Sequence, residues 1–435
     1  MLKQLFLYAR KLLCNFAAIA SSPSANRYSC RKKSGRAAFL LCMAVLLIPV
    51  SSVAGQEESI EREGISLSEP IIITYSQAVE LANKSLQDMY DIINEKQNFR
   101  DALQRETRRR ESSKWTERAL RAFFDDYEED MEILQDWLND MLYRIVYLHD
   151  GTEIRTLAAA ARRVLRDIEE QIYRFSLQIR QAELVVENNL RGLIVAVIEH
   201  EAVIEISEVS LSLAEENLRR ITIRHNFGLA SSNELRAATQ SFSRAEMSLT
   251  EHRVNLYSAL NRLNYFLSLP LYQYTIVEIE YGQYFLQVPE CLTEHINNLI
   301  PTTPPIRPLQ LDVDRDYEVL RTFRGTRERR AALREVYENT TEIRNLAKLT
   351  MEAAMRRTFN DYMNLQTRYE AQLLEQERTT RMLEIAKTNL RLGKITAFEV
   401  QQAQFTLFQA EQALASIVNQ KWLLAFRLEN PSLLV

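Results

Sequence analysis

The stretch GLASSNELRAATQSFSRAEMSLTEHRVNLYSALNRL, residues 228–263, decides the fold, because GKITAFEVQQAQFTLFQAEQALASIVNQKWLLAFRL, residues 393–428, repeats it 165 residues later. Aligned without gaps over 36 positions, the two segments share eight identities. The identical pairs are Gly228 and Gly393, Glu234 and Glu399, Ala238 and Ala403, Ala245 and Ala410, Glu246 and Glu411, Leu249 and Leu414, Arg262 and Arg427, and Leu263 and Leu428. Such self-similarity indicates a duplicated structural unit.

Both segments carry mainly apolar side chains at alternating steps of three and four residues. In the first segment these are Leu235, Ala238, Phe242, Ala245, Leu249, His252, Leu256, Ala259, Leu263 and Phe266. In the second they are Val400, Ala403, Leu407, Ala410, Leu414, Ile417, Lys421, Leu424 and Leu428. This spacing is typical of a coiled-coil seam. The sequence therefore predicts two long helical hairpins, each turning at a glycine.

Residues that break helices are scarce along these hairpins. The chain has 9 glycines in 435 residues, whereas glycine usually makes up about 7% of a protein. No proline lies in residues 71–269 or 309–430. We therefore expect long helices over residues 153–227 and 327–392. At 1.5 Å per residue the first would be roughly 110 Å long.

Composition limits the functions open to this chain. Its 26% charged and 46% hydrophobic residues are typical of globular or coiled-coil proteins, and a net charge of -4 gives no indication of nucleic-acid binding. Three of the four cysteines precede the predicted mature chain, so Cys291 has no disulfide partner there. The histidines form no metal-binding pair on a helix, and no phosphate-binding or nucleophile motif occurs. We predict no enzymatic activity, no cofactor and no metal site.

Residues 1–55 have the features of a targeting segment. Basic residues at 31–36 precede an apolar run at 37–50 and small residues around Ala54, which is the pattern of a secretory signal peptide. A membrane anchor is the alternative, although the run is short for a span of about 20 residues. Residues 1–30 make an unusually long n-region, unless the true start lies further along the chain.

The remaining sequence divides at its turn-forming residues. The predicted parts are an extension at 56–75, a first helical repeat at 76–271, a connector at 272–290 with the strand-like TIVEIEY, and a second helical repeat at 291–435. Ser76 is a candidate N-cap for the first helix. Ser231 and Thr396 are candidate N-caps for the helices that follow the two glycine turns.

These segments resemble a known family. Residues 214–263 and 386–430 are similar to the first and second hairpins of TolC-like outer membrane factors, and ITYSQAVELANKSL at 73–86 is similar to their opening helix. The resemblance implies a mainly α fold of duplicated coiled-coil hairpins, assembled as a homotrimeric tunnel across the periplasm. It further implies an outer membrane outlet for efflux or type I secretion, with a periplasmic adaptor protein and an inner-membrane transporter as partners.

The resemblance places the functional residues at the two turns. Adaptors would dock at Gly228, Leu229, Ala230, Ser231, Gly393, Lys394, Ile395 and Thr396. Acidic residues line the family's pore constriction just beyond the second turn, where Glu399 and Gln402 stand, and Glu234 is the duplicate of Glu399. A ring of carboxylates would favour cations. Alternatively, Glu234 and Glu399 are first-turn glutamates favoured by the helix dipole.

The resemblance also implies two membrane strands in each half, in the windows 98–150 and 307–330. Barrel strands alternate apolar and polar residues over about 10 positions. The first window instead reads as a charged helix, and the second offers one strand candidate, residues 309–319. We therefore expect the β-barrel strands to be weak or missing. This leaves a second hypothesis, a barrel-less coiled-coil envelope protein that acts as a structural or interaction scaffold.

Overall fold

The structure is a computed structural model of a mainly helical chain. The residues described are 70–109, 116–128, 134–150, 157–279 and 291–434, all of which lie within the unit Leu67–Val435. The predicted signal peptide lies outside them. Within these residues, no helix combines the length and the apolar character needed to cross a membrane.

One order of elements occurs twice along the chain. The first half contains β1 (Ile71–Thr74), α1 (Tyr75–Asn83), a 3-10 turn (Lys84–Leu86), α2 (Gln87–Arg109), α3 (Glu117–Glu128), α4 (Gln135–Asp150), α5 (Leu157–Asn226) and α6 (Ser232–Phe266). The second contains β2 (Thr275–Glu278), α7 (Leu292–Leu299), a 3-10 turn (Ile300–Thr302), α8 (Ile306–Thr322), α9 (Arg327–Arg391), α10 (Ala397–Glu429) and a 3-10 turn (Pro431–Leu433). Helices α3 and α4 stand between α2 and α5, whereas α8 leads directly into α9.

The mainly α fold with two long hairpins is confirmed. Helix α5 packs along α6, and α9 packs along α10. Helix α10 also packs along α5, so the four long helices lie side by side in the order α9, α10, α5, α6. Helices α6 and α9 are therefore the outer members of this row.

The two short strands join the beginnings of the two halves. β1 and β2 pair in parallel, with Ile71 opposite Thr275 and Thr74 opposite Glu278. A parallel pair needs a long crossover connection, which helices α1 to α6 provide here. The strand predicted in the connector is thus found, and the buried Thr275 hydroxyl donates to Asn264 Oδ1 at 2.7 Å.

The predicted N-cap of the first helix is wrong by two positions. Thr74, not Ser76, caps α1: its hydroxyl oxygen accepts from the Gln77 N–H at 3.3 Å. In return, the Thr74 N–H donates to Gln77 Oε1 at 2.9 Å. Because β1 runs directly into α1, the last strand residue serves as the cap, and Ser76 already lies inside the helix.

The strand candidate at 309–319 is also wrong, because these residues belong to α8. The apolar residues counted as alternating there satisfy a helical period as well. Ile306 and Val313 are the buried residues of α8 and lie seven positions apart, on one face. That face packs on α9, where Asp316 accepts from the Thr340 hydroxyl at 2.8 Å. The first window is helical in its described residues too, as predicted.

Helices α2, α3, α4 and the beginning of α5 enclose a core of their own. The buried side chains include Phe99, Leu103, Leu120, Phe124, Leu138, Met141, Ile145, Val164 and Ile168. Phe99 lies at its centre, with ring centroids 5.2 Å from Phe124 and 5.5 Å from Trp137. We call this part of the molecule the helical head. It stands at the end of α5 that is opposite the Gly228 turn.

One buried cation ties the first half to the second. Arg191 on α5 is only 5% exposed, and its guanidinium lies 4.6 Å from the Trp422 ring and 3.9 Å from the Phe426 ring of α10. It also lies 5.3 Å from the Tyr75 ring of α1 and donates to Glu187 at 2.8 Å. A buried charge is tolerated only when it is paired, and here one carboxylate and three aromatic faces surround it. We call this set of residues the Arg191 anchor.

Candidate functional site: the two glycine turns

Each long hairpin turns at a glycine in the left-handed region. Gly228 has φ +73 and Gly393 has φ +69. An added Cβ would meet nothing within 4 Å at either position. Glycine is therefore required by the backbone conformation rather than by a close neighbour.

The backbone hydrogen bonds of the two turns are the same. At the first, the Gly228 N–H donates to His225 O at 2.8 Å and the Leu229 N–H donates to Arg224 O at 2.7 Å. At the second, the Gly393 and Lys394 N–H groups donate to Leu390 O and Asn389 O, both at 2.9 Å. This pair of bonds is the Schellman motif that ends a helix. The duplication seen in sequence thus extends to the geometry of the turns.

The helix after each turn begins with a hydroxyl residue and a glutamate three positions later. The Ser231 N–H donates to Glu234 Oε2 at 2.6 Å, and the Glu234 N–H donates back to Ser231 Oγ at 3.2 Å. The Thr396 N–H and hydroxyl both donate to Glu399 Oε2, at 2.7 and 2.9 Å. Both glutamates therefore satisfy backbone groups at the start of a helix.

These bonds affect the charge of the two glutamates. Hydrogen bonds from the Ser231 backbone and side chain hold the pKa of Glu234 below its usual range. The corresponding bonds from Thr396 lower the pKa of Glu399. Both carboxylates are thus ionised at neutral pH. Both glutamates do lie in the first turn of their helices, as the alternative to a pore role has it, and the capping bonds are an addition that the structure supplies. Their part in a pore constriction remains a prediction.

The other predicted site residues lie on or beside the turns. Leu229 and Lys394 are exposed, whereas Ala230 and Ile395 are half-buried. Gln402 is exposed on α10, three residues beyond Glu399. The structure thus groups the predicted residues at the end of each hairpin.

Large apolar side chains stand exposed at both turns. Phe227 and Leu229 flank Gly228 and are 76% and 68% exposed, and Leu392 precedes Gly393 and is 61% exposed. The Arg224 guanidinium reaches around the first turn and donates to Leu229 O at 3.1 Å. The turns thus present fixed backbone with apolar side chains in solvent, an arrangement suited to binding another surface.

A contact that the sequence does not predict joins the two hairpins near their turns. The Arg220 guanidinium on α5 lies 4.5 Å from the centre of the Phe398 ring on α10. After the bonds from Thr396, the charge of Arg220 also helps to lower the pKa of Glu399. Neither residue belongs to a recognisable motif. The pairing arises from packing between residues far apart in sequence, so no local pattern could have revealed it.

The described residues hold no group of three or more His, Cys, Asp and Glu side chains placed to bind a metal ion. The turns offer groups that make non-covalent contacts: ionised glutamates, exposed apolar side chains and nearby arginines.

Comparison with known proteins gives the following. No family model and no curated protein matches the sequence. Among solved structures, the chain is similar to the Campylobacter jejuni CmeC outer membrane channel, with TM-score 0.46, 12% identity and coverage of 62% of this chain and 68% of that chain. It is also similar to the outer membrane protein VceC of Vibrio cholerae (TM-score 0.43, 12% identity, coverage 62% and 75%). A third is the Neisseria gonorrhoeae MtrE outer membrane channel (TM-score 0.38, 12% identity, coverage 61% and 71%).

These similar structures are outer membrane proteins and channels, the kind of protein that the sequence resembles. At these identities and TM-scores the likeness carries no conclusion about family or function.

Proposed function

We propose that the protein is a TolC-like channel component of a tripartite efflux or type I secretion system, located at the outer membrane and in the periplasm. The observation that carries this proposal is the pair of long hairpins with matching glycine turns, lying side by side. A row of this kind has the features that one section of a tunnel wall needs: long helices, aligned ends and two open edges.

The open edges support assembly into a homotrimer. Helix α6 exposes Met247, Val254, Tyr257 and Tyr265, and helix α9 exposes Val336, Ile343, Leu346, Leu349, Met363, Leu374, Met382 and Ile385. Exposed apolar surface on this scale marks an interaction site. A contact between α6 of one copy and α9 of the next is heterologous, and repeated rotation can close it into a ring.

The turns supply the remaining parts of the proposal. An adaptor protein that links the channel to an inner-membrane transporter would bind the turns at Gly228 and Gly393. In a trimer, Glu234, Glu399 and Gln402 would contribute to a constriction. Because the caps keep both glutamates ionised, such a ring would favour the passage of cations.

Reconstitution of the purified mature chain tests this proposal. We expect an assembly of three chains by light scattering and stepwise conductance in planar lipid bilayers. Substituting Glu234→Gln and Glu399→Gln should reduce the selectivity for cations. A monomer that gives no conductance and fractionates entirely with soluble periplasmic protein would rule out the channel.

One observation favours a second candidate, a coiled-coil scaffold of the cell envelope. The described residues of the windows 98–150 and 307–330 form helices with short connections and no strand, whereas the resemblance places membrane strands there. A scaffold would assemble through α6 and α9 without conducting ions. Assembly in the absence of conductance would therefore select the scaffold over the channel.

A further inference from the structure

The ends of the two hairpins carry a concentration of positive charge. Within residues 219–236 and 384–401 the cations are Arg219, Arg220, Arg224, Arg236, Lys387, Arg391 and Lys394, and the carboxylates are Glu234, Glu384 and Glu399. The whole chain, by contrast, has a net charge of -4. Two of the three carboxylates, Glu234 and Glu399, are engaged in capping. Arg219 forms an ion pair at 2.8 Å with Glu216, just outside this range, so the cations not paired in this way are the ones that matter for a partner.

Helix stability explains only some of these cations. Arg224 and Arg391 lie in the last turns of α5 and α9, where the helix dipole favours positive charge. Arg236 is the fifth residue of α6, beyond the first turn over which the helix dipole acts. Lys394 lies between the end of α9 and the beginning of α10, whose dipoles act on it in opposite senses. Arg236 and Lys394 are both exposed, and the capping of their own helices gives no reason for their charge.

The positive charge adjoins the exposed apolar side chains. Phe227 and Leu229 stand in solvent at the first turn and Leu392 at the second. Burying such side chains against a partner is favourable because it removes apolar surface from water. Charge of one sign beside them selects a partner of the opposite sign and speeds the encounter.

We propose that the two turns bind an acidic helical surface of a partner protein, whose carboxylates face Arg236 and Lys394 and whose apolar residues cover Phe227, Leu229 and Leu392. This rests on the proposed function, because it specifies the chemistry of the adaptor that would bind there.

The placement of the charges favours a protein over a flat anionic membrane. Arg236 lies eight positions beyond Gly228, which at 1.5 Å per residue is about 12 Å along the hairpin. A lipid surface would meet only the end of the turn. A helical hairpin that inserts beside the turn reaches both the apolar side chains and the cations on the flanks.

Binding to synthetic helical hairpins tests this proposal with the full mature chain. Two fluorescent probes are used, identical except that one carries four glutamates around its turn and the other four lysines. We expect the acidic probe to bind at least about tenfold more tightly than the basic one, and its affinity to fall as salt rises from 50 to 200 mM.

Two variants locate the binding. The double substitution Arg236→Glu with Lys394→Glu should lower the affinity for the acidic probe about tenfold or more. The double substitution Phe227→Ser with Leu229→Ser should lower the affinity for the acidic probe at all salt concentrations. The control, Arg118→Glu with Arg334→Glu, makes the same change in net charge at exposed positions far from the turns and should bind as the unchanged chain does.

Three outcomes would overturn the proposal: equal binding of both probes, equal weakening by the control variant, or tighter binding to phosphatidylglycerol vesicles that is lost in the Arg236→Glu, Lys394→Glu variant. The last would make the turns a membrane-binding surface. Assembly and conductance are measured on the same variants. A chain that conducts but fails to discriminate the probes would contradict this proposal alone and leave the proposed channel intact.

Discussion

The two halves of the chain share one order of elements but bury their apolar residues differently. The first half has two extensive clusters, one in the helical head and one where α1, α5 and α6 meet. The clusters of the second half, around Met355 and around Tyr362, are smaller. Helix α9 instead leaves a long series of apolar side chains in solvent. The second hairpin therefore buries less apolar surface within its own half than the first does. Its stability depends more on contacts from outside that half.

Positions related by the repeat make this difference concrete. Trp422 on α10 is 1% exposed, whereas Tyr257, which occupies the equivalent position of α6, is 40% exposed. Trp422 is covered because α1 and α5 pack over it in the Arg191 anchor. Tyr257 lies on the open edge of the row. One duplicated position is thus a buried contact within the chain in one half and an exposed surface in the other.

The largest effect is expected at the exposed apolar face of α9, which the proposed assembly would bury against another copy. The substitution Leu346→Asp with Leu349→Asp places two charges on its exposed face, and burying them in an interface would be very costly. We expect self-association, measured by analytical ultracentrifugation, to weaken by about a hundredfold or more. The exposed pair Tyr143→Asp with Tyr147→Asp in the helical head is the control and should leave association unchanged. Equal effects of the two pairs would contradict the role of α9.

The next effect concerns the dependence of the second hairpin on the first. Trp422→Ala removes a fully buried aromatic side chain and should lower the free energy of unfolding by about 3–5 kcal/mol. Tyr257→Ala, its counterpart on the open edge, should cost less than about 1 kcal/mol in the monomer. Urea denaturation measures both. Similar values would mean that the Arg191 anchor does not hold the halves together.

The two turns offer a comparison in which the halves should behave alike. Gly228→Ala and Gly393→Ala force a Cβ into the left-handed region and should each cost about 1–2 kcal/mol. Gly192 lies inside α5 with open space around it, so Gly192→Ala should instead stabilise the chain by about 0.5–1 kcal/mol. A loss at Gly192 as large as at the turns would show that the backbone conformation is not the cause.

The smallest effect is a dependence of the two caps on pH. The pKa values of Glu234 and Glu399 are lowered from 4.5 by hydrogen bonds from Ser231 and Thr396. Their contribution to stability is therefore present above pH 4.5 and is lost as the pH falls through the lowered pKa. In protein labelled at serine and threonine, the amide resonances of Ser231 and Thr396 should titrate with midpoints below 4.5. Glu234→Gln and Glu399→Gln should each abolish the titration at its own turn.

Local patterns predicted most of the fold. The steps of three and four residues, the glycines and the capping residues act over one or two helical turns, and each is visible in the sequence. The strand candidate in α8 failed because its residues satisfy two periods at once, and packing of Ile306 and Val313 toward α9 decides between them.

The candidate site was predictable only in part. Gly228 and Gly393 follow from the duplication, and the N-caps Ser231 and Thr396 were predicted as well. The hydrogen bonds that pair each cap with its glutamate were not. The Arg191 anchor joins residues 75, 191 and 422, and the Arg220 contact joins α5 to α10. Contacts across such distances in sequence depend on how the hairpins pack, and no spacing within either hairpin encodes them.

The matched lengths of the two returning helices restrict how this chain can evolve. Helix α6 has 35 residues and α10 has 33. One residue inserted into either would rotate everything beyond it by about 100° and turn the seam away from its partner. Length changes in the hairpins must therefore come in whole seam repeats and in both copies. Helices α3 and α4 lie outside the hairpins, so a change in their length leaves both seams in register.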